Sequence, residues 1–186
     1  MTDTPDWSAL PVPADDGAAD HLPGMMLADI ALPSTDGADV SLAAMPGRLV
    51  VFCYPMTAQP GADLPEGWSE IPGARGCTAQ ACAFSAAEQD LYAAGASGIY
   101  GVSTQSTVWQ AEAKSRLSLP YPLLSDRQLH LSDSIGLPVF HAGDETLLRR
   151  LTMIVEGGRI EAVHYPVFPP DADADWVLER LRGPSG

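Results

Sequence analysis

Two of the three cysteines stand five positions apart in Gly73-Ala74-Arg75-Gly76-Cys77-Thr78-Ala79-Gln80-Ala81-Cys82-Ala83-Phe84, where two different kinds of chain meet. Upstream, the apolar run Leu49-Val50-Val51-Phe52-Cys53-Tyr54 has the length and β-branched content of a buried strand. Downstream, Ala83 to Ala94 is rich in Ala, Glu, Gln and Leu and reads as a helix. The junction is therefore a strand–loop–helix unit with a cysteine at the helix start. Backbone N–H groups and the positive end of the helix dipole favour a thiolate there, and Arg75 is placed to add positive charge. That environment suits a reactive cysteine with a resolving partner nearby.

Helix geometry limits what the pair can do. Five residues of ideal helix rise about 7.5 Å and turn about 140°, which separates the Cα atoms by roughly 8–9 Å. A disulfide needs about 4.4–6.8 Å. A permanent bridge is improbable, and a transient one requires the first turns to unwind. Two such cysteines can also be small buried hydrophobes. Cys53, inside an apolar strand, is expected to be an inert core residue.

The segment from Pro55 to Gly76 has little periodicity and carries Pro55, Pro60, Pro65 and Pro72 with several glycines. Loops of this length in compact domains are usually functional or disordered. Trp68 and Ile71 suggest that this one packs down on its own chain, as a rim or lid beside Cys77. Further along, Ser97–Ser103 reads as a second buried strand, Thr104–Leu117 as a helix and Pro122–Asp126 as a short strand. Gln128–Ile135 reads as a short helix. Leu147–Val155 and Arg159–Tyr165 flank Glu156-Gly157-Gly158, a hairpin signal, and Asp173–Arg182 is a last amphipathic helix. Arg149 and Arg150, adjacent in the first of these strands, should point to opposite faces. Before the cysteine unit, Met25–Val40 around Ser34-Thr35-Asp36-Gly37 reads as an N-terminal β-hairpin, and Ser41–Gly47 as a short helical turn. The order is that of an α/β domain, a central mixed sheet flanked by helices. Residues 1–20, rich in Asp, Ala and Pro, are expected to form a flexible tail, and 21–186 the single domain.

At 186 residues with net charge −14, binding to phosphate backbones or anionic lipid is disfavoured. No apolar run approaches a membrane span, and the first residues lack the pattern of a signal peptide. Three cysteines are too few and too odd in number for a disulfide-stapled secreted scaffold. The expected compartment is the cytoplasm. There is no P-loop and no glycine-rich dinucleotide fingerprint. Cys-x4-Cys lacks a second pair of ligands, and His130, His141 and His164 are scattered. Neither a metal nor a cofactor is expected.

Taken together, Tyr54-Pro55, Gly76-Cys77-Thr78-x-x-Ala81-Cys82-x-Phe84, Gly101-Val102-Ser103, Pro122-Leu123-Leu124-Ser125-Asp126 and Arg150-x-Thr152-Met153-x-Val155 resemble, in sequence order, the peroxiredoxins. The resemblance is closest to the peroxiredoxin Q, or bacterioferritin comigratory protein, group and runs from about Leu22 to Leu181. It implies a thioredoxin-like fold and thiol-dependent reduction of hydrogen peroxide or organic hydroperoxides. By motif, Cys77 becomes the peroxidatic cysteine and Cys82 the resolving one. Arg150 becomes the arginine that stabilises the thiolate and orients peroxide, and Pro55 the proline that opens the active-site loop. The resemblance further implies a Cys77–Cys82 disulfide reduced by thioredoxin or glutaredoxin, in a monomer or homodimer.

The sequence departs from the pattern twice. The family has Thr or Ser three residues before the peroxidatic cysteine, where this chain has Ala74, and an insertion of about Thr57 to Pro72 separates Pro55 from Cys77. Thr57, Thr78 and the backbone at Gly76 are the candidates for binding substrate instead. The alternative reading is a redox sensor or thiol–disulfide interaction protein on the same fold, with little turnover.

Overall fold

The computed structural model describes residues 6–183. Its strands are β1 (Ala31–Leu32), β2 (Val40–Ser41), β3 (Arg48–Cys53), β4 (Ala96–Ser103), β5 (Leu123–Ser125), β6 (Val139–Ala142), β7 (Glu145–Leu148), β8 (Leu151–Glu156) and β9 (Arg159–His164). Its α-helices are α1 (Cys77–Ala93), α2 (Thr107–Leu117), α3 (His130–Ile135) and α4 (Asp173–Arg182). Five strands form the central sheet in the order β5-β4-β3-β8-β9. β3 pairs parallel with β4 and antiparallel with β8, so the sheet is mixed, as expected. β1 and β2 make the small N-terminal hairpin.

Side-chain alternation along β3 divides the core. Leu49, Val51 and Cys53 join Leu151, Met153 and Val155 of β8 on one face, where Leu131 and Ile135 of α3 cover them. Val50, Phe52 and Tyr54 point to the other face, against Phe84 and Leu91 of α1 and Val177 and Leu181 of α4. Cys53 is fully buried in the first layer, and burial pushes its thiol well up, the mark of an inert core cysteine.

Several local expectations need correction. The strand expected over Leu147–Val155 is broken: Leu147 and Leu148 belong to β7, which forms a separate hairpin with β6. Arg149 and Arg150 lie at the break rather than inside a strand. The β6–β7 hairpin turns at Gly143-Asp144, a glycine-containing turn between short apolar stretches. Ser41–Gly47 makes only a turn, closed by Ala44 N–H to Ser41 C=O at 3.1 Å.

Residues 6–20 of the expected tail touch the domain at a few points while most of them stay exposed; residues 1–5 lie outside the described residues. Ala19 and Leu22 are buried in the core. The Tyr165 hydroxyl donates to Asp16 at 2.8 Å, and His21 Nε2 meets the Ile135 carbonyl at 2.8 Å. Apolar residues spaced through an otherwise polar stretch give it something to bury.

The same N-terminal half reaches both sheet edges. Thr35 N–H donates to Leu123 C=O, and Ser125 N–H to Pro33 C=O, along β5. Gly24 N–H donates to Ile160 C=O and Ile160 N–H to Met25 C=O, along the start of β9.

Gly101 shows how tightly the α1 face is packed. A Cβ there would lie 2.6 Å from Leu123 Cδ2 and 2.7 Å from Phe52 Cζ. The Phe52 ring is already stacked on Phe84 at 4.6 Å and set edge-on to Tyr121 at 5.6 Å. Gly101→Val is expected to destabilise the fold by about 1–3 kcal/mol through overpacking. Urea unfolding checks this: an unchanged midpoint would show that the aromatic cluster has room to spare.

Candidate active site

Cys77 is the first residue of α1, preceded by Gly76 in the left-handed region at φ +105°. Glycine is required there twice over. The backbone conformation disfavours side chains, and a Cβ would lie 2.5 Å from Pro170 Cγ and 3.1 Å from the Trp7 ring. No side chain caps the helix start, so its first N–H groups are not taken up by a capping residue. Cys77 is buried and Cys82 is exposed; neither is in a disulfide. Both line one cavity of about 770 Å³.

Arg150, at the β7–β8 break, is only 3% exposed. Its Nη2 lies 3.3 Å from Cys77 Sγ and also faces the carbonyls of Gly73 at 3.2 Å and Arg75 at 3.1 Å. Those carbonyl dipoles partly replace the water that the guanidinium has lost. A fixed cation at that distance stabilises negative charge on sulfur. Its Nη1 donates to Gln80 Oε1, and Gln80 Nε2 donates to Asp173 at 2.7 Å. Asp173 is fully buried and also accepts from Thr152 Oγ1 at 2.6 Å, with His164 Nδ1 at 2.8 Å. The result is a buried line of cation, amide and carboxylate behind the cysteine. Sequence reading gave no role to Gln80, Asp173 or Thr152, although Thr152 stands in the motif with Arg150. Only their positions, between the cysteines, at a helix start and two after Arg150, pointed to them.

Arg75, by contrast, is exposed and donates to Ser69 Oγ at 3.2 Å. Thr78 is exposed and lines the cavity with Gly76. Thr57 does not join them. It is buried, its backbone N–H and hydroxyl both face Gln105 Oε1, and its carbonyl accepts from Trp109 Nε1 at 2.7 Å. Its side chain meets Gln105 ahead of α2 and its backbone carbonyl ties the insertion to α2; it is not part of the cavity wall. Pro55 is buried at the end of β3 and lies outside the cavity lining.

The insertion packs on its own chain. Trp68 is buried with Ala74, Ala142 and Leu147, while Met56 and Leu64 face the cavity beside Trp68. Ala74 is fully buried and offers no hydroxyl, so Thr78 supplies the side-chain hydroxyl along this wall.

Between the cysteines α1 is pinned at two points. Gln80 is held by Arg150 and Asp173, and the buried Tyr121 hydroxyl donates to the Ala81 carbonyl at 2.5 Å. Partial desolvation raises the Cys82 thiol above its ordinary value, with Arg116 opposing the rise. Among the described residues no helix is long and apolar enough to cross a membrane, and no three His, Cys, Asp or Glu side chains converge as metal ligands.

The redoxin family profile matches residues 19–178. Peroxiredoxin Q of Suaeda salsa, described as chloroplastic, is 30% identical over 161 residues, 86% of this chain and 67% of that one. The chloroplastic peroxiredoxin Q of rice (subspecies japonica) is 29% identical, and the chain spans 66% of its length. The crystal structure of peroxidoxin BcpB from Mycobacterium tuberculosis superposes with a TM-score of 0.70 at 26% identity, over 88% of this chain and 98% of that one. The thioredoxin-like fold, the cysteine at the start of α1 and these relatives agree: the chain belongs to the redoxin family, in its peroxiredoxin Q group.

Proposed function

We propose that the protein is a thiol peroxidase in which Cys77 reduces a hydroperoxide and Cys82 resolves the product. The observation that carries this reading is the Arg150 guanidinium 3.3 Å from a Cys77 sulfur that opens on a cavity shared with Cys82. The Cys77 thiolate attacks one peroxide oxygen and the O–O bond breaks. The sulfur becomes a sulfenic acid, and the departing alkoxide or hydroxide takes up a proton. Arg150 and the open N–H groups of α1 favour the negative charge that moves from sulfur to the leaving oxygen. Thr78 and the Gly76 backbone are polar groups of the cavity lining open to an incoming peroxide.

The Cys82 thiolate then attacks the sulfenic sulfur, hydroxide leaves and becomes water, and a Cys77–Cys82 disulfide forms. A dithiol reductant of the thioredoxin or glutaredoxin kind restores both thiols by exchange. A small, odd number of cysteines, two of them placed for a transient rather than a permanent bond, fits a reducing compartment, which we take to be the cytoplasm.

Peroxide consumption coupled to a thioredoxin system tests the assignment. Cys77→Ser is expected to abolish it, and full activity in that variant would overturn the reading. Cys82→Ser is expected to hold the sulfenic acid, labelled by a dimedone-type probe. A Cys77–Cys53 bridge found by mass spectrometry in oxidised wild-type protein would contradict the role of Cys82.

Disulfide formation requires α1 to unwind between the cysteines, and the Tyr121 hydroxyl holds that stretch in place. Tyr121→Phe removes one hydrogen bond worth about 0.5–1.5 kcal/mol, so disulfide formation should speed up by about two- to tenfold. Stopped-flow fluorescence after a single peroxide equivalent measures the rate, and an unchanged or slower rate would show that the clasp does not restrain unwinding.

A further inference from the structure

About half of the lining of the cavity over Cys77 comes from two segments that contribute no strand to the sheet, the rest from the cysteine loop, the start of α1 and Asp171. One wall comes from the N-terminal stretch: Trp7 lies against Gly76 and edge-on to Phe168 at 6.3 Å, and Leu10 follows it. Pro13 then packs over Gly73, so this stretch crosses the cysteine loop as a strap. The insertion also lines it, with Leu64 and the buried Trp68. Leu64 is 40% exposed, a large apolar side chain at the rim of this cavity and of a second one shared with Trp109. Hydrogen peroxide needs none of this. A cavity of about 770 Å³ lined by indole and leucine side chains is in the size range of small-molecule sites and suits an apolar body several carbons across. The charged groups on its lining are Asp6, Asp171 and Arg75, net negative, in a chain of net charge −14. That balance disfavours an anionic tail.

We infer that Trp7 and Leu64 together form a tail-binding site that selects bulky, uncharged organic hydroperoxides over both hydrogen peroxide and hydroperoxides carrying a carboxylate. This rests on the peroxidase reading above and names its substrate class. The peroxide group meets Cys77, with Arg150 behind the sulfur at 3.3 Å, while the tail displaces water from beside Trp7 and Leu64. Burial of the tail lowers the free energy of the bound state and of the transition state alike, so the selectivity lies in kcat/KM.

The test compares kcat/KM for cumene hydroperoxide, hydrogen peroxide and a fatty-acid hydroperoxide in wild-type protein, Trp7→Ala and Leu64→Ser. Wild type should prefer cumene hydroperoxide to both others. The ratio of cumene hydroperoxide to hydrogen peroxide should fall about five- to tenfold in each variant, the scale expected for losing apolar contact in a pocket. Leu64→Ser alters an exposed rim residue, so it reports even where Trp7→Ala folds poorly. An unchanged ratio in Leu64→Ser, or a wild-type preference for the fatty-acid hydroperoxide, would overturn the inference while leaving the peroxidase reading intact. A separate readout needs no turnover. Cumyl alcohol, the neutral product, should quench tryptophan fluorescence in Cys77→Ser protein, and should do so more weakly once Leu64→Ser is added. If wild-type protein consumed neither peroxide the peroxidase reading would fail, and cumyl alcohol binding would still decide the site: saturable quenching weakened by Leu64→Ser supports it, and no quenching refutes it.

Discussion

Arg150 and Asp173 are both buried, one a cation and one a carboxylate, and they are joined through a single amide. Gln80 can serve both because its two ends differ: the oxygen accepts from the guanidinium and the nitrogen donates to the carboxylate. Either charge alone would be costly to remove from water, and the hydrogen bonds each makes offset that cost, although Arg150 Nε is left without a partner. The bridge therefore ties three parts of the fold together. Arg150 brings the break between β7 and β8 against the loop Gly73–Arg75. Gln80 orients the first turn of α1, and Asp173 fixes the start of α4 to β8 through Thr152. The position of the Cys77 sulfur follows from all three.

How much of this was legible in the sequence varied with the kind of signal. The sheet strands follow from apolar runs and the long helices α1 and α2 from composition, and both ends of α4 are where its amphipathic pattern puts them. Arg150 was legible by motif, but its setting was not. Pairing of Leu147 and Leu148 with β6 depends on partners distant in the chain, which no local pattern reports. The N-terminal stretch has a composition close to that of a disordered tail, and the few residues that anchor it, Trp7, Ala19 and Leu22, are dilute among Asp and Pro. Thr57 offered a hydroxyl of the right type near the cysteine loop in sequence. The direction of its side chain is decided by Gln105, a residue it meets only through the tertiary fold.

The segment between the cysteines is held by side chains rather than by the helix alone. The helix keeps the two sulfurs apart, while Gln80 and the Tyr121 hydroxyl set what must let go before they can meet. Chemistry at Cys77 and rearrangement toward Cys82 are thus governed by different contacts, even though both begin at the same turn.

The N-terminal half also settles how the sheet presents itself to other chains. Backbone groups on the open side of β5 are engaged by Pro33 and Thr35, and those at the start of β9 by Gly24 and Met25. An exposed strand is a template onto which a further strand can add, the usual route to cross-molecule ribbons and to aggregation. Here the template is occupied by the protein's own backbone along β5 and the start of β9, and Glu161 places a charge farther along β9. Strand addition is blocked at those positions, so an association between copies there has to be made by side chains on the faces of the molecule.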